Sequence, residues 1–577
     1  MEEISGEIKP SANEKEIEKG KSKIKNFFLG WVKDNYDKIF IGILILAFII
    51  RLWIFFKTMN QPFWWDEADY LSAAKNWGLG LDIRDVWYYR RGFLFPLIGA
   101  LIFRLGLGEI GMRFLVVLFS TGIVAVSYFI ISKMFNKKLA LITSLVLSLS
   151  WILLFFTGRV LTDIPAAFFA LLSLLFFWKG YVLKEGNKFL YLFGLFLALA
   201  VLTRMQSFMF IPPFLIFILI REKSKIFKNK HLWITLGIFL LLLVPQFVLY
   251  SMHYGNAFND LAAHYLGIGA SSNSTYAGDQ RAFSLETFNY FANLPYMLST
   301  IIFGLLIIGA IYFFTDLFIG IDKIFKNEIL QKKLFVLMWV LSLFLIMGYI
   351  GSVSYVEQRY ITAGLPFLFM IAVFPIIFVS DFLMKQNKLK KIIPGILFIV
   401  LIALMIPNLI LSNSLLNQQA DSYSQVKKVG ELMKSDSNTR DIIMSTSLPQ
   451  ITYYSERSTY PYDIQHDGVA KGDKSLLNYS DGQKGFEEFL KNKQPKYLMA
   501  SVFETDPDWI LKKGTYNEDN YIILPFFNSS MSYNSQGQIT SLDLNQEVKK
   551  DGMTLTLFYP KTSGQINGIF IYKVEYS

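Results

Sequence analysis

The sequence predicts a polytopic α-helical membrane protein carrying a soluble C-terminal α/β domain, and three observations carry that reading. The 577 residues are 53% hydrophobic and 16% aromatic, richer than soluble domains. Apolar runs recur near ~20 residues, the length that crosses ~30 Å of hydrocarbon. Lysines gather on alternate loops and so mark one membrane face. Mean hydropathy is +0.38. Cysteine is absent, which excludes disulfides, thiolate catalysis and Cys-ligated metals. The net charge of +11 lies between apolar segments with no nucleic-acid motif beside it, so it reads as membrane topology and excludes nucleic acid as a partner.

The elements follow in order. Residues 1–37 are polar and of mixed charge, a cytosolic tail with a short interfacial helix expected near 27–32. Residues 38–412 form the membrane domain. Its apolar runs are 38–57, 112–132, 139–157, 164–178, 189–203, 208–221, 232–252, 294–314, 333–352, 361–381 and 392–411, about eleven spans. Starting inside, the lysine-rich loops 133–138, 179–188, 221–230, 322–333 and 385–391 all fall on the cytosolic side. The stretch 92–106 is apolar, but it holds Pro96 and Arg104 and is short for a span. It is expected to lie in the outer interface, within an external loop at 57–112. The run 189–220 holds a single charge, Arg204, and is too long for one helix; it divides at 203–207.

An odd number of spans puts the C-terminus outside the cell, with residues 413–577 as an extracytoplasmic α/β domain. A helix is expected at 421–434 and strands at 441–445, 451–455, 497–502, 521–527, 553–559 and 568–574. Three Asn-x-Ser/Thr sequons, at Asn273, Asn478 and Asn528, lie on the same outer side.

The outer face carries the chemistry. Asp66, Glu67 and Asp69 stand within four residues, directly after Trp64 and Trp65 and just beyond the first span. Ionisable groups at a membrane boundary are costly to dehydrate and mark functional sites. The same face holds Arg90 and Arg91, Arg159, Asp163, Arg204, His253 and His264, and Glu357 with Arg359. Guanidinium suits a phosphate, to which it donates paired hydrogen bonds. Carboxylates suit proton abstraction from a hydroxyl, or coordination of a divalent cation. A lipid-phosphate group-transfer enzyme meets these constraints together. Simpler readings stand beside this one: an aromatic belt for the two tryptophans, helix capping for Asp163, snorkelling for Arg204, and structural roles for both histidines.

Trp64-Trp65-Asp66-Glu67-Ala68-Asp69-Tyr70, then Arg90-Arg91 before Pro96, then Thr162-Asp163-Ile164-Pro165, then Gln358-Arg359-Tyr360 with Pro366, occur in an order that resembles GT-C membrane glycosyltransferases. The branch it most resembles contains protein O-mannosyltransferases and lipid A aminoarabinose transferases, with related archaeal and bacterial enzymes. The resemblance implies a sugar donor linked to polyprenyl (dolichyl) phosphate, transfer with inversion, and a glycan, protein or lipid acceptor. It implies Asp66 as the base that activates the acceptor hydroxyl, with Glu67 and Asp163 as further catalytic acids. Arg91, Arg204 and Arg359 become candidates for the donor phosphate. A divalent metal is the one cofactor left open, with Glu67, Asp163 and His264 as its candidate ligands. A transporter or flippase of lipid-linked sugar should instead show internal repeats and charges near the midplane, and neither is found. An oligosaccharyltransferase should carry a Trp-Trp-Asp-Tyr-Gly signature in its external domain, and the sequence has none.

Overall fold

The computed structural model describes residues 31–84, 86–87, 91–256, 258, 288–350, 356–385, 392–462, 483–504, 506–516, 519–536, 538–550, 552–562 and 566–577. Most of the 1–37 tail, His264, Arg90 and the sequons at Asn273 and Asn478 lie outside these residues, as does the side chain of His253.

The membrane part begins with α1 (Asn35–Thr58), α2 (Trp65–Leu79), α3 (Leu94–Arg104), α4 (Gly108–Met134), α5 (Lys137–Ser148), α6 (Trp151–Thr157), α7 (Asp163–Phe177) and α8 (Asn187–Thr203). It continues with α9 (Ile211–Glu222), α10 (Lys230–Tyr254), α11 (Asn289–Leu298), α12 (Thr300–Ile319), α13 (Glu328–Ile350), α14 (Leu365–Met384) and α15 (Ile393–Gln418). Among the described residues nine helices are long and apolar enough to cross a membrane, and the bent pair α5–α6 makes a tenth. The shorter α8 occupies the remaining expected run, so each of the eleven stretches falls on a helix.

Three of those stretches differ in detail. Residues 139–157 are not one straight helix but two, meeting at 53° around Leu149 and Ser150. A break exposes a carbonyl that needs a donor. The fully buried Arg51 supplies one, bonding Ser148 O at 3.3 Å while also holding Ala47 O and Ser120 Oγ. The run read as 294–314 is interrupted at Ser299, whose backbone is left-handed (φ 72°), so the span itself is Thr300–Ile319. The run from 361 opens with a short 3₁₀ turn, Gln358–Ile361, before α14 starts at Leu365. The expected division near 203–207 is present: α8 stops at Thr203, Arg204 is extended, and a 3₁₀ turn, Met205–Phe210, leads into α9. As expected for a helix lying along the surface, α3 exposes Leu97 and Leu101 and buries Phe95 and Phe103 against the bundle.

The C-terminal α/β region contains α16 (Ser424–Ser435), α17 (Leu448–Ser455) and α18 (Gln483–Lys493). Its strands are β1 (Ile442–Ser445), β2 (Ser458–Tyr460), β3 (Tyr497–Ser501), β4 (Lys512–Tyr516), β5 (Asp519–Leu524), β6 (Ser529–Tyr533), β7 (Ile539–Asp543), β8 (Glu547–Lys550), β9 (Met553–Tyr559) and β10 (Ile569–Tyr576). A six-stranded mixed sheet runs β2-β1-β3-β10-β9-β8, beside a four-stranded antiparallel sheet β4-β5-β6-β7. The expected strand at 451–455 is helix α17. Pro449 suits a helix's first turn, and α17 is buried on every side, which removes the one-sided pattern that distinguishes a helix from a strand.

This region sits on the bundle through α17. Tyr454 Oη accepts the Phe63 N–H at 2.8 Å, Tyr453 Oη donates to Glu109 at 2.7 Å, and Lys75 of α2 pairs with Glu456 at 2.6 Å.

Candidate active site

Five separate chain segments bring charged side chains together at the end of the bundle where α1 finishes. Asp66 lies in the first turn of α2, and each of its oxygens accepts from a different arginine: Arg91 Nη2 at 3.1 Å and Arg359 Nη2 at 2.8 Å. Arg91 also pairs with the buried Asp69 at 3.0 Å and lies over the Tyr70 ring. Arg359 reaches Glu357 at 3.3 Å and Asp163 at 3.8 Å. Arg204 pairs with Asp163 at 2.8 Å and stacks on Tyr360. The result is an unbroken alternation of acid and base from Asp69 through Arg91, Asp66, Arg359 and Asp163 to Arg204. A cavity of about 20 Å³, room for about one water, opens beside Asp163, Arg204, Arg359 and Tyr360.

Local sequence explains each placement. Asp163 opens α7, where the helix dipole favours an acid and Pro165 is tolerated. Arg204 occupies the extended residue that separates α8 from its 3₁₀ continuation. Arg91 precedes α3 on a strap held from both sides by Gln246 of α10, which donates to Arg91 O at 3.1 Å and accepts the Phe93 N–H at 3.2 Å. Next to it, Gly92 packs so closely on α8 that an added Cβ would lie 2.0 Å from Leu202 O.

Burial alone would raise the Asp66 pKa. The guanidiniums of Arg91 and Arg359, with Arg204 farther off, outweigh burial and hold the carboxyl well below its ordinary value. Conversely, although burial opposes the charged form, neighbouring anionic groups hold Arg91, Arg204 and Arg359 firmly protonated.

Of the sequence candidates, Asp66, Asp163, Arg91, Arg204 and Arg359 meet in this cluster. Glu67 faces elsewhere. It is fully buried, accepts the Val160 N–H at 2.6 Å and the Trp64 N–H at 2.8 Å, and lies 3.7 Å from Arg159. It thereby fastens the start of α2 to the turn before α7. Trp64 is no belt residue, since it packs inward under Arg159, 3.9 Å from its ring centre. Arg204 points to Asp163 rather than snorkelling out. Sequence reasoning missed Gln246, although a buried glutamine beside Pro245 in an apolar helix was the available signal. It also left Asp69 without a partner.

Among the described residues, which exclude His264, the fit to a divalent metal is poor. Both Asp66 oxygens are taken by guanidinium and both Glu67 oxygens by backbone N–H groups. Among the described residues no three His, Asp or Glu side chains converge to hold an ion.

Comparison with known proteins speaks to the fold. Residues 90–249 match the family described as dolichyl-phosphate-mannose-protein mannosyltransferase. That stretch includes Arg91, Asp163, Arg204 and Gln246 but neither Asp66 nor Arg359. An uncharacterized protein of Aquifex aeolicus (strain VF5) is 27% identical over 192 residues, 32% of this chain and 37% of that protein, so the match spans little more than a third of that relative's length. The crystal structure of ArnT from Cupriavidus metallidurans in the apo state superposes with a TM-score of 0.56 at 14% identity, covering 82% of this chain and 93% of that one. The same protein bound to undecaprenyl phosphate gives 0.55 at 15%, covering 82% and 94%. The archaeal oligosaccharyltransferase AglB from Archaeoglobus fulgidus, in complex with an inhibitory peptide and a dolichol-phosphate, gives 0.55 at 12%, covering 81% and 70%. The chain has the GT-C fold of membrane glycosyltransferases.

Proposed function

We propose that this GT-C membrane protein is a glycosyltransferase that moves a sugar from a polyprenyl-phosphate donor to an acceptor hydroxyl, with inversion. The observation that carries the reading is Asp66 held between Arg91 and Arg359, with Asp163 and Arg204 alongside. The undecaprenyl phosphate and dolichol-phosphate bound by the fold relatives support a lipid phosphate as the leaving group.

Among the described residues, Asp66, Asp69, Asp163 and Glu357 meet three arginines, so the cluster is no ready-made cationic cradle. A donor phosphodiester must draw Arg91 and Arg359 away from Asp66. The exchange does two things. It places guanidinium against the phosphate, where it stabilises the charge that grows as the bond between the anomeric carbon and the phosphate oxygen breaks. It also frees Asp66, whose basicity then rises to accept the proton of the attacking hydroxyl. The acceptor oxygen bonds to the anomeric carbon, and the lipid phosphate leaves. Asp163 keeps Arg204 and Arg359 aligned, and Glu67 fixes the helix that carries Asp66. The site faces the outside in this reading, with the N-terminus cytoplasmic and the 413–577 domain extracellular, positioned to present the acceptor.

The test is transfer of labelled sugar from a polyprenyl-phosphate hexose by the full chain in nanodiscs, with lipid-phosphate binding measured in parallel. We expect Asp66→Asn to slow transfer by about 10²–10⁴-fold while binding the lipid phosphate at least as well as the wild type, because the competing carboxylate is gone. Transfer at the normal rate by a folded Asp66→Asn protein would overturn the assignment.

A further inference from the structure

A second cavity lies across the membrane from this cluster. Chain direction establishes the separation: Asp37, in the first turn of α1, pairs with Lys137 at 2.6 Å, and α1 ends just before the segment that leads to Asp66. The cavity, of about 1190 Å³, opens next to Lys137's neighbour Asn136. It exceeds the ~300–1,000 Å³ usual for small-molecule sites. Ile308, Ile311 and Tyr312 of α12, all exposed, and Phe374 of α14 form its apolar wall. Its mouth carries Lys323, Lys332 and Lys333 against a single carboxylate, Asp316. Asp316 pairs with Lys333 at 2.7 Å, whereas among the described residues Lys323 and Lys332 meet no carboxylate. Lys326 stands beside Lys323 in an adjoining recess.

We infer that this groove binds an acidic phospholipid of the bilayer, its phosphate between Lys323 and Lys332 and one acyl chain along Ile308, Ile311 and Tyr312. The wall lies at the depth of helix interiors and the lysines at helix ends, which is the layout of a lipid, an apolar tail beneath an anionic head. Two unmatched cations above an apolar trough complement that ligand and no water-soluble anion. The proposal stands independently of the activity assigned to the Asp66 cluster.

Native mass spectrometry of the full chain extracted from nanodiscs of phosphatidylcholine doped with phosphatidylglycerol tests it. The wild type should retain phosphatidylglycerol about 25-fold above its bulk ratio. Lys323→Ala with Lys332→Ala should return retention to bulk, since each lysine contributes about fivefold. Replacing both by arginine should preserve retention, which separates lost charge from misfolding. Ile311→Trp should fill the trough and lower retention with every lysine in place. Lys179→Ala with Lys188→Ala, on the same face but away from the groove, should change nothing. Absence of enrichment in the wild type, equal loss in the Lys179/Lys188 variant, displacement by glycerol phosphate, or preferential retention of a polyprenyl phosphate would each overturn it.

Discussion

At the scale of single residues, the ion pairs around Asp66 make opposed demands that substitution can separate. Asp66→Asn should lower kcat by about 10²–10⁴, the usual worth of a general base, without raising the dissociation constant for lipid phosphate. Arg359→Lys keeps the charge but loses the planar fork that reaches Asp66 and the acids beside it. Gly92→Ala should behave like loss of Arg91, because the new Cβ cannot share space with Leu202 O and the strap must shift; weakened lipid-phosphate binding at near-normal expression checks this. Asp66, Asp163 and Arg359 were legible in the sequence because a charge beside an apolar run is conspicuous. Gln246 was not, since an uncharged side chain in a helix announces nothing until the Arg91 backbone is seen against it. Glu67 was legible as important but not as to its task. Only the fold shows that its oxygens are spent on the Val160 and Trp64 N–H groups.

At the scale of elements, Glu67 joins α2 to the turn before α7, so its removal strands buried donors. Glu67→Ala should lower the unfolding midpoint in detergent, at a cost of about 1.5–3 kcal/mol for each charge-assisted bond lost. Spans were readable because lipid demands a continuous apolar length, which sequence displays directly. The bend between α5 and α6 was not readable, because it rests on Arg51 arriving from another helix to satisfy Ser148 O. Nor was α17, whose aromatic run imitates a strand while being buried all round. Among the unexpected elements, β7 exposes both of its faces and so shows no alternation to detect.

At the scale of the whole molecule, the C-terminal region carries its own titration. Burial, with Asp506 adding repulsion, raises Glu504 to about 7. Burial also raises Asp506 from 3.8 to about 6, against the hydrogen bonds it accepts from Thr446 and the Ser501 N–H. The folded state therefore binds more protons than the unfolded chain between about pH 4 and 7, and stability should fall as pH rises through that window. Unfolding midpoints of the full chain from pH 4.5 to 7.5 check the slope, and Asp506→Asn should flatten it. Removal of residues 413–577 should abolish transfer even to a small soluble acceptor, because α17 supports the entry to α2 through the Tyr454–Phe63 bond and the Lys75–Glu456 pair. A peripheral recognition module could be cut away at little cost to chemistry. This one is fastened to the helix that carries Asp66, so whatever strains the domain bears on the placement of that carboxylate.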